Sequence, residues 1–494
     1  MSTIEEVAHT EDEQEPNIIE VSATLIGDEN EDDDDDNQEN EDRPAHQSAI
    51  MLSPERPGGE AELENSSDEL TNPIEEENWR RRRKHVFILS SAGKPVFSRY
   101  GDESDFSELF GILQVLMSMA QSSGTNETLR RVTAGPEFVI HFHTVGELSY
   151  VMVSRTEEST KSCVRQLRLL HLQMLSVLPT VNAVLTKSPG YDVRRMFSNV
   201  DAAAMRQLIK RMSCDPTFIF RAASVVAMGL ELRRDVERAL VESRNHEVNP
   251  EDHLYSLALH DSALVASISP KDQPLHIDDF LLLINFVAIV CSNQQGEIWA
   301  PICLPKFNDT GYLWCYCTKF EPCGLTLVQL ATAQDAFPAL SRRATVVQQA
   351  LQSKSLELQA VFKKSVGLNW TALSSWDPPS TLQWFAACTD AKQMVSTRLP
   401  LPLANSKQLK KFTLRLFARL RDKLGILSRA SHPVIIHSTE EQSYVIVKLK
   451  TFEGFGLFLP CTPRKQMVDT VVRALKTTAA KESTVLLIKA VNWA

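Results

Sequence analysis

The chain has 494 residues, 43% hydrophobic and 23% charged, with a formal net charge of −11. Its length excludes a single core and implies roughly two to four domains, while its composition is that of an ordinary soluble globular protein. The charge is unevenly placed: residues 1–78 hold 27 acidic and two basic residues (net −25), and residues 79–494 hold 50 basic and 36 acidic ones (net +14). A basic body favours an anionic partner such as a phospholipid surface or a nucleic acid.

No apolar leader opens the chain, and neither end carries a lipidation signal. The longest apolar stretch, Phe280–Cys291, is interrupted only by Asn285. It falls short of the roughly 18–20 residues that span a bilayer. These features predict a cytoplasmic protein that reaches membranes peripherally. Nine scattered cysteines predict a reducing compartment and free thiols.

Residues 1–80 read as a disordered acidic tail, with the run Glu31–Asp36 and almost no aromatics. Ser66 and Ser67, followed by Asp68 and Glu69, form a candidate site for an acidophilic kinase. The tail is either a solvated arm or a regulatory arm that folds back on the basic body.

The first module is expected over 84–215. Lys84–Gly101 holds two β-rich runs around a Ser-Ala-Gly-Lys turn. A helix follows, with apolar residues at Phe106, Leu109, Phe110, Leu113, Leu116, Met117 and Ala120, all on one face. Strands are predicted at Glu137–His143 and Leu148–Arg155, then helices at Thr156–Leu178 and Asp201–Met212. Residues 216–250 read as a helical connector.

The second module is expected over 251–362. Strands are predicted at Leu254–Leu259 and Ala263–Ser269, and a buried helix at Asp278–Cys291. Strands at Glu297–Cys303, Tyr312–Phe320 and Leu325–Ala331 precede a closing helix at Phe337–Leu358. The third module, 378–494, repeats the order. Its hairpin is Leu382–Cys388 with Gln393–Thr397, and its helix is Ser406–Leu424. Strands follow at Val434–His437, Ser443–Leu449 and Gly454–Leu459, then a helix at Pro463–Lys476 and a strand at Thr484–Ile488. Ser149–Val153 (SYVMV) matches Ser443–Val447 (SYVIV), which suggests one strand pair repeated in modules one and three. The fold class is α/β of the α+β type, an antiparallel sheet flanked by helices repeated three times.

Three segments carry a resemblance: Lys84–Gly101, Gly135–Arg155 with its Gly-Glu-Leu-Ser-Tyr-Val stretch, and Gly296–Asn308 (GEIWAPICLPKFN). In these the chain resembles the Mon-one (SAND) family of vacuolar fusion proteins over essentially all of 80–494, most loosely in the third module. The resemblance implies three longin domains and a tri-longin partner subunit, Ccz-one. It implies guanine-nucleotide exchange on the late-endosomal and lysosomal Rab GTPase, with an early-endosomal Rab recruiting the complex. Endosome maturation and autophagosome–lysosome fusion are the processes implied. The alternative is a longin-built tether or coat adaptor without exchange activity.

The residues show no enzyme signature. No G-x-S-x-G or H-E-x-x-H motif occurs, and Gly93-Lys94-Pro95 lacks P-loop spacing and reads as a hairpin turn. No catalytic residue, cofactor or metal is expected. Cys315, Cys317 and Cys323 read as buried thiols rather than zinc ligands, and His141 and His143 as a packed or exposed pair.

The site residues are therefore interaction residues. Phe110, Met117, Tyr150 and Met152 are candidates for the partner or GTPase interface, with Leu109, Leu113 and Leu116 assigned to the core. Membrane-binding candidates are Arg80, Arg81, Arg82, Arg83 and Lys84 at the tail junction. Lys407, Lys411, Arg415 and Arg419 recur every four residues along one helix, opposite Leu409, Phe412, Leu416 and Leu420. That stripe fits an anionic, phosphoinositide-bearing membrane or a plain solvated face. Nucleic acid is not expected, because no aromatic-interleaved signature accompanies the charge.

Overall fold

The computed structural model describes residues 18–20, 82–100, 106–122, 129–135, 138–244, 253–271, 273–293, 296–364, 377–425, 433–481 and 491–493. Strand β1 (Ile18–Glu20) comes from the tail and pairs in parallel with Val434–Ile436 of the third unit. This pairing departs from the expectation of a wholly disordered tail at those three residues. Ser66, Ser67, Arg80, Arg81 and the strand expected at 484–488 lie outside the described residues.

The first unit contains β2 (Lys84–Ser90), β3 (Pro95–Ser98), α1 (Ser107–Ser122), β4 (Arg131–Ala134), β5 (Phe138–Val145) and β6 (Leu148–Ser154). Its sheet runs β3-β2-β6-β5-β4, all antiparallel. Period-two alternation divides its side chains between two cores. Phe87, Leu89, Phe142 and Val151 meet α1, while Val86, Ile88, Tyr150 and Met152 point to the opposite face. That face is covered by α2 (Thr160–Val177), whose N-cap Ser159 accepts from Ser162 N. The cap places the helix start four residues after Thr156, and Glu157 adopts φ 52° just before it. Helices α3 (Val181–Lys187), α4 (Asn199–Cys214) and α5 (Pro216–Phe220) follow.

The connector is not simply helical. It forms a short strand β7 (Ala223–Ser224) and then α6 (Leu230–Arg244). Strand β7 pairs in parallel with the third unit at Gln393–Met394, and Val225 bridges to Leu264 of the second unit. Val225 N donates to Met394 O (2.9 Å) and Val226 N donates to Leu264 O (3.0 Å). One extended segment thereby ties two sheets together.

The second unit holds β8 (His253–His260), β9 (Ala263–Pro270), α7 (Ile277–Asn293), β10 (Ile298–Ile302), β11 (Leu313–Phe320), β12 (Leu325–Ala331), α8 (Phe337–Leu351) and α9 (Ser355–Lys364). The single closing helix expected here is broken by a 3-10 turn at Gln352–Lys354. Asn285, the one polar residue in the apolar run, is fully buried and donates to Gln173 Oε1 (3.0 Å) and Ala204 O (3.1 Å). Those bonds offset the desolvation of its amide nitrogen and fix α7 against α2 and α4.

The third unit holds β13 (Leu382–Thr389), β14 (Gln393–Ser396), α10 (Leu401–Asn405), α11 (Lys407–Leu424), β15 (Val434–Ser438), β16 (Ser443–Lys448), β17 (Phe452–Phe458) and α12 (Arg464–Ala480). The terminal strand β18 (Val491–Trp493) returns to the second sheet and pairs in parallel with β9. Within each unit the five main strands share one order, second-first-fifth-fourth-third. This order corrects the pentapeptide match. Ser149–Val153 lies on β6, the fifth strand of its unit, and Ser443–Val447 lies on β16, the fourth of its own. Both are buried strands of tight hairpins, so the likeness reflects shared strand chemistry rather than equivalent position.

Candidate docking face and the seam between units

Helix α1 is apolar on two opposite faces. Its inner face seats Phe110, Leu113 and Met117, at 3%, 0% and 7% exposure, on the first sheet. Phe87 and Phe110 meet edge to face with ring centroids 5.3 Å apart. Its outer face presents Ile112, Val115 and Met119, at 60%, 55% and 64% exposure. At about 100° per residue the two triplets centre on opposite poles of the helix. Gly111 lies beside this outer stripe, and a Cβ built on it would meet no atom within 4 Å. The chain's own packing therefore does not demand a glycine there, although glycine destabilises a helix interior by about 0.5–1 kcal/mol relative to alanine.

These positions correct the expected interface. Phe110 and Met117 are core residues. Tyr150 and Met152 are 0% and 1% exposed beneath α2, and the Tyr150 hydroxyl sits 3.0 Å from His171 Nδ1. The sheet has helices on both faces, so neither strand residue is available to a partner. Ile112, Val115 and Met119 were missed. Their i, i+3, i+7 spacing was visible in the sequence, but it competed with an equally apolar stripe on the other pole.

The basic candidates are also redistributed. Lys84 is 4% exposed, and its Nζ donates to Glu158 Oε2 (2.6 Å) and Gln166 Oε1 (2.6 Å). Gln166 Nε2 and Thr156 Oγ1 donate to the same carboxylate, both at 2.8 Å. Burial alone would raise the Glu158 pKa, but the charges of Lys84 and Arg415 and the bonds from Lys84 and Gln166 hold it at about 2. Lys84 is thus a buried ion-pair member, not a membrane contact. Arg83 is exposed, whereas Arg82 and Arg99 lie over the Tyr100 ring at 4.8 and 4.6 Å.

On α11, Lys407 is exposed, and Lys411, Arg415 and Arg419 are half-buried. The helix packs against α2, α4 and α5, so the stripe turns partly into the seam between the first and third units. Arg419 Nη1 donates to Glu157 Oε2 (2.8 Å). Beside it, Arg165 grips Asp422 with two bonds (2.6 and 3.0 Å), and Ser159 also donates to Asp422. Of the opposite residues, Leu416 and Leu420 are buried, Leu409 is partly buried, and Phe412 is 43% exposed. The four-residue recurrence thus marks a seam as well as a surface.

Cys315 and Cys317 belong to the large shared core and Cys323 to a separate one, so the three thiols do not converge. Among the described residues, no group of three or more His, Cys, Asp or Glu side chains is arranged to hold a metal. Among the same residues, no single helix is long and apolar enough to cross a membrane. The candidate site is therefore the exposed apolar face of α1, on the side of the first sheet opposite the α2–α11 seam.

Residues 84–205 match the family described as the first longin domain of FUZ, MON1 and HPS1, and residues 251–349 match the second. Vacuolar fusion protein MON1 homolog A of Bos taurus is 32% identical over 285 residues, covering 57% of this chain and 50% of that protein. Vacuolar fusion protein MON1 of Yarrowia lipolytica is 29% identical over 287 residues, 57% of this chain and 51% of its own. The Oryza sativa homolog is 27% identical over 431 residues, covering 80% of this chain and 73% of the relative.

The chain carries two longin domains of the FUZ, MON1 and HPS1 type.

The matches span about half the length of the cattle and yeast relatives. The two longin matches fall within the first and second units and include the whole of α1 and the strands it packs on. The exposed apolar face of α1 thus lies inside a recognised longin domain, and the third unit carries the same strand order beyond them.

Proposed function

We propose that the chain is one subunit of a heterodimeric guanine-nucleotide exchange factor that acts in endosomal and vacuolar membrane traffic. The observation that carries this reading is the second apolar face of α1 on the first longin domain. A partner built from longin domains is the occupant proposed for it, and the late-endosomal Rab GTPase is the substrate of the pair. The names of the relatives, vacuolar fusion proteins, support the trafficking role.

Exchange needs no acid, base or nucleophile from this chain. A factor that binds the nucleotide-free GTPase more tightly than the loaded one lowers nucleotide affinity by linkage. Displacing a switch segment and disturbing Mg²⁺ coordination accomplishes this mechanically. A seam tied by ion pairs between the first and third units suits that task, because a platform that yields cannot deform the GTPase. The test is release of labelled GDP from the purified Rab, with the chain and its partner added together. Acceleration over either subunit alone supports exchange; an unchanged rate points to a tether.

A further inference from the structure

A cavity of about 1,080 Å³ opens where the three units meet, and nothing in the docking reading uses it. Its size lies just above the roughly 300–1,000 Å³ typical of small-molecule sites. The lining has two chemical halves. The second unit supplies an apolar wall from Tyr255, Leu257, Leu264 and Phe280. The rim is cationic: Lys161 and Arg165 come from α2, Arg221 from the end of α5, Lys392 from the β13–β14 turn and Arg421 from α11.

The three arginines are already engaged. Arg165 holds Asp422, Arg221 grips Asp278, and Arg421 holds Glu453 (2.7 Å). They set the shape of the rim. Lys161 and Lys392 are exposed and, among the described residues, make no ion pair. Two cations from different units thus remain at the mouth of a cavity whose inner wall is apolar.

Lys392 is an unusual residue for its place. Its φ is 59°, in the left-handed region that glycine or asparagine fills most easily. Its carbonyl accepts from Ala223 N (2.7 Å), and its N–H donates to Thr389 O (3.0 Å), so the turn geometry is fixed by its neighbours. Keeping a lysine in that backbone conformation is explained if its ammonium is used.

We propose that this cavity binds a single-chain anionic lipid, with the acyl chain against the apolar wall and the head group between Lys161 and Lys392. A free fatty acid and a lysophospholipid share this chemistry and differ in head group. An extended polyphosphate is a poorer fit, since the interior is apolar and the rim arginines are paired. The proposal is independent of exchange activity, so either can fail without the other.

The test uses the delipidated full-length chain titrated with three fluorescent 16-carbon probes: a fatty acid, a lysophosphatidic acid and an uncharged monoacylglycerol. At least one anionic probe is expected to bind saturably with one site per chain, at least tenfold tighter than the uncharged probe. The preferred anionic probe identifies the head group. Lys161→Ala combined with Lys392→Gly should weaken anionic binding about tenfold and leave the uncharged probe unaffected. Both residues are exposed, and glycine suits the backbone at 392, so this variant should remain folded. Leu264→Trp, which fills the cavity, should abolish binding of every probe. Equal affinity for charged and uncharged probes, or unchanged anionic binding in the lysine double variant, would overturn the proposal.

Discussion

Lys84 Nζ and Glu158 Oε2 lie 2.6 Å apart, with side-chain exposures of 3% and 4%. The pair joins the first strand of the globular body to the start of α2, across 74 residues of sequence. Removing one partner leaves a buried charge uncompensated, at a cost of about 3–5 kcal/mol, while replacing both is far less damaging. Lys84→Met and Glu158→Gln should therefore each destabilise the chain strongly in urea unfolding. The double variant should recover much of the loss.

The same carboxylate predicts an acid response. Its folded pKa of about 2 lies below the ordinary value of 4.5. Its stabilisation is present above pH 4.5 and is lost as the pH falls toward 2. Glu158→Gln should flatten the stability profile across that window while lowering stability at neutral pH.

Three histidines of the first unit act at higher pH. Burial, reinforced by neighbouring cations, lowers His85 and His141 to about 4, and burial followed by His143 lowers His171 to about 4. They fold neutral, while the unfolded chain takes up protons below about 6.5. Their contribution is therefore present above pH 6.5 and is lost as the pH falls through 4, on the order of 1–3 kcal/mol each. Urea midpoints measured between pH 7.5 and 4 should decline, and His141→Leu should make that decline shallower.

Helix α12 approaches β17 through glycine. A Cβ on Gly456 would lie 2.6 Å from Val471 Cγ2, and one on Gly454 would lie 2.7 Å from Leu475 Cδ1. Gly456→Ala forces this packing apart and should destabilise the chain by about 1–3 kcal/mol. Circular dichroism melting of the full chain reads the effect.

Much of the fold was legible because its elements are strongly periodic. The core strands of all three units, and the helices at 277–293 and 407–424, follow from alternation or from apolar spacing. Strand β4 (RVTA) was missed because it is a mostly exposed edge without an apolar face. The break at Gln352–Lys354 left no glycine or proline to mark it. The interaction residues were harder to read for a different reason. Periodicity shows that α1 is a helix, but Phe110–Leu113–Met117 and Ile112–Val115–Met119 are both good apolar stripes. Only the sheet beneath decides which pole is buried. Likewise, a basic stripe reads as surface until Glu157, some 262 residues away from Arg419, is brought beside it.

Gly111 offers a way to separate folding from docking. Gly111→Ala should stabilise the isolated chain by about 0.5–1 kcal/mol, since the added methyl meets nothing and the helix gains propensity. Where a partner's backbone approaches closely, the same methyl should weaken association. Raised thermal stability with undiminished pairing would remove the close-approach reading of this position.

The central claim is that the outer face of α1 docks the longin-domain partner subunit. Its most direct test is the dissociation constant of the purified full-length chain and that partner, measured for the wild type and for Ile112→Glu combined with Val115→Glu. Both side chains are more than half exposed, so the variant should melt like the wild type. The account predicts at least a hundredfold weaker association for this variant. Wild-type affinity in the doubly charged variant would contradict it.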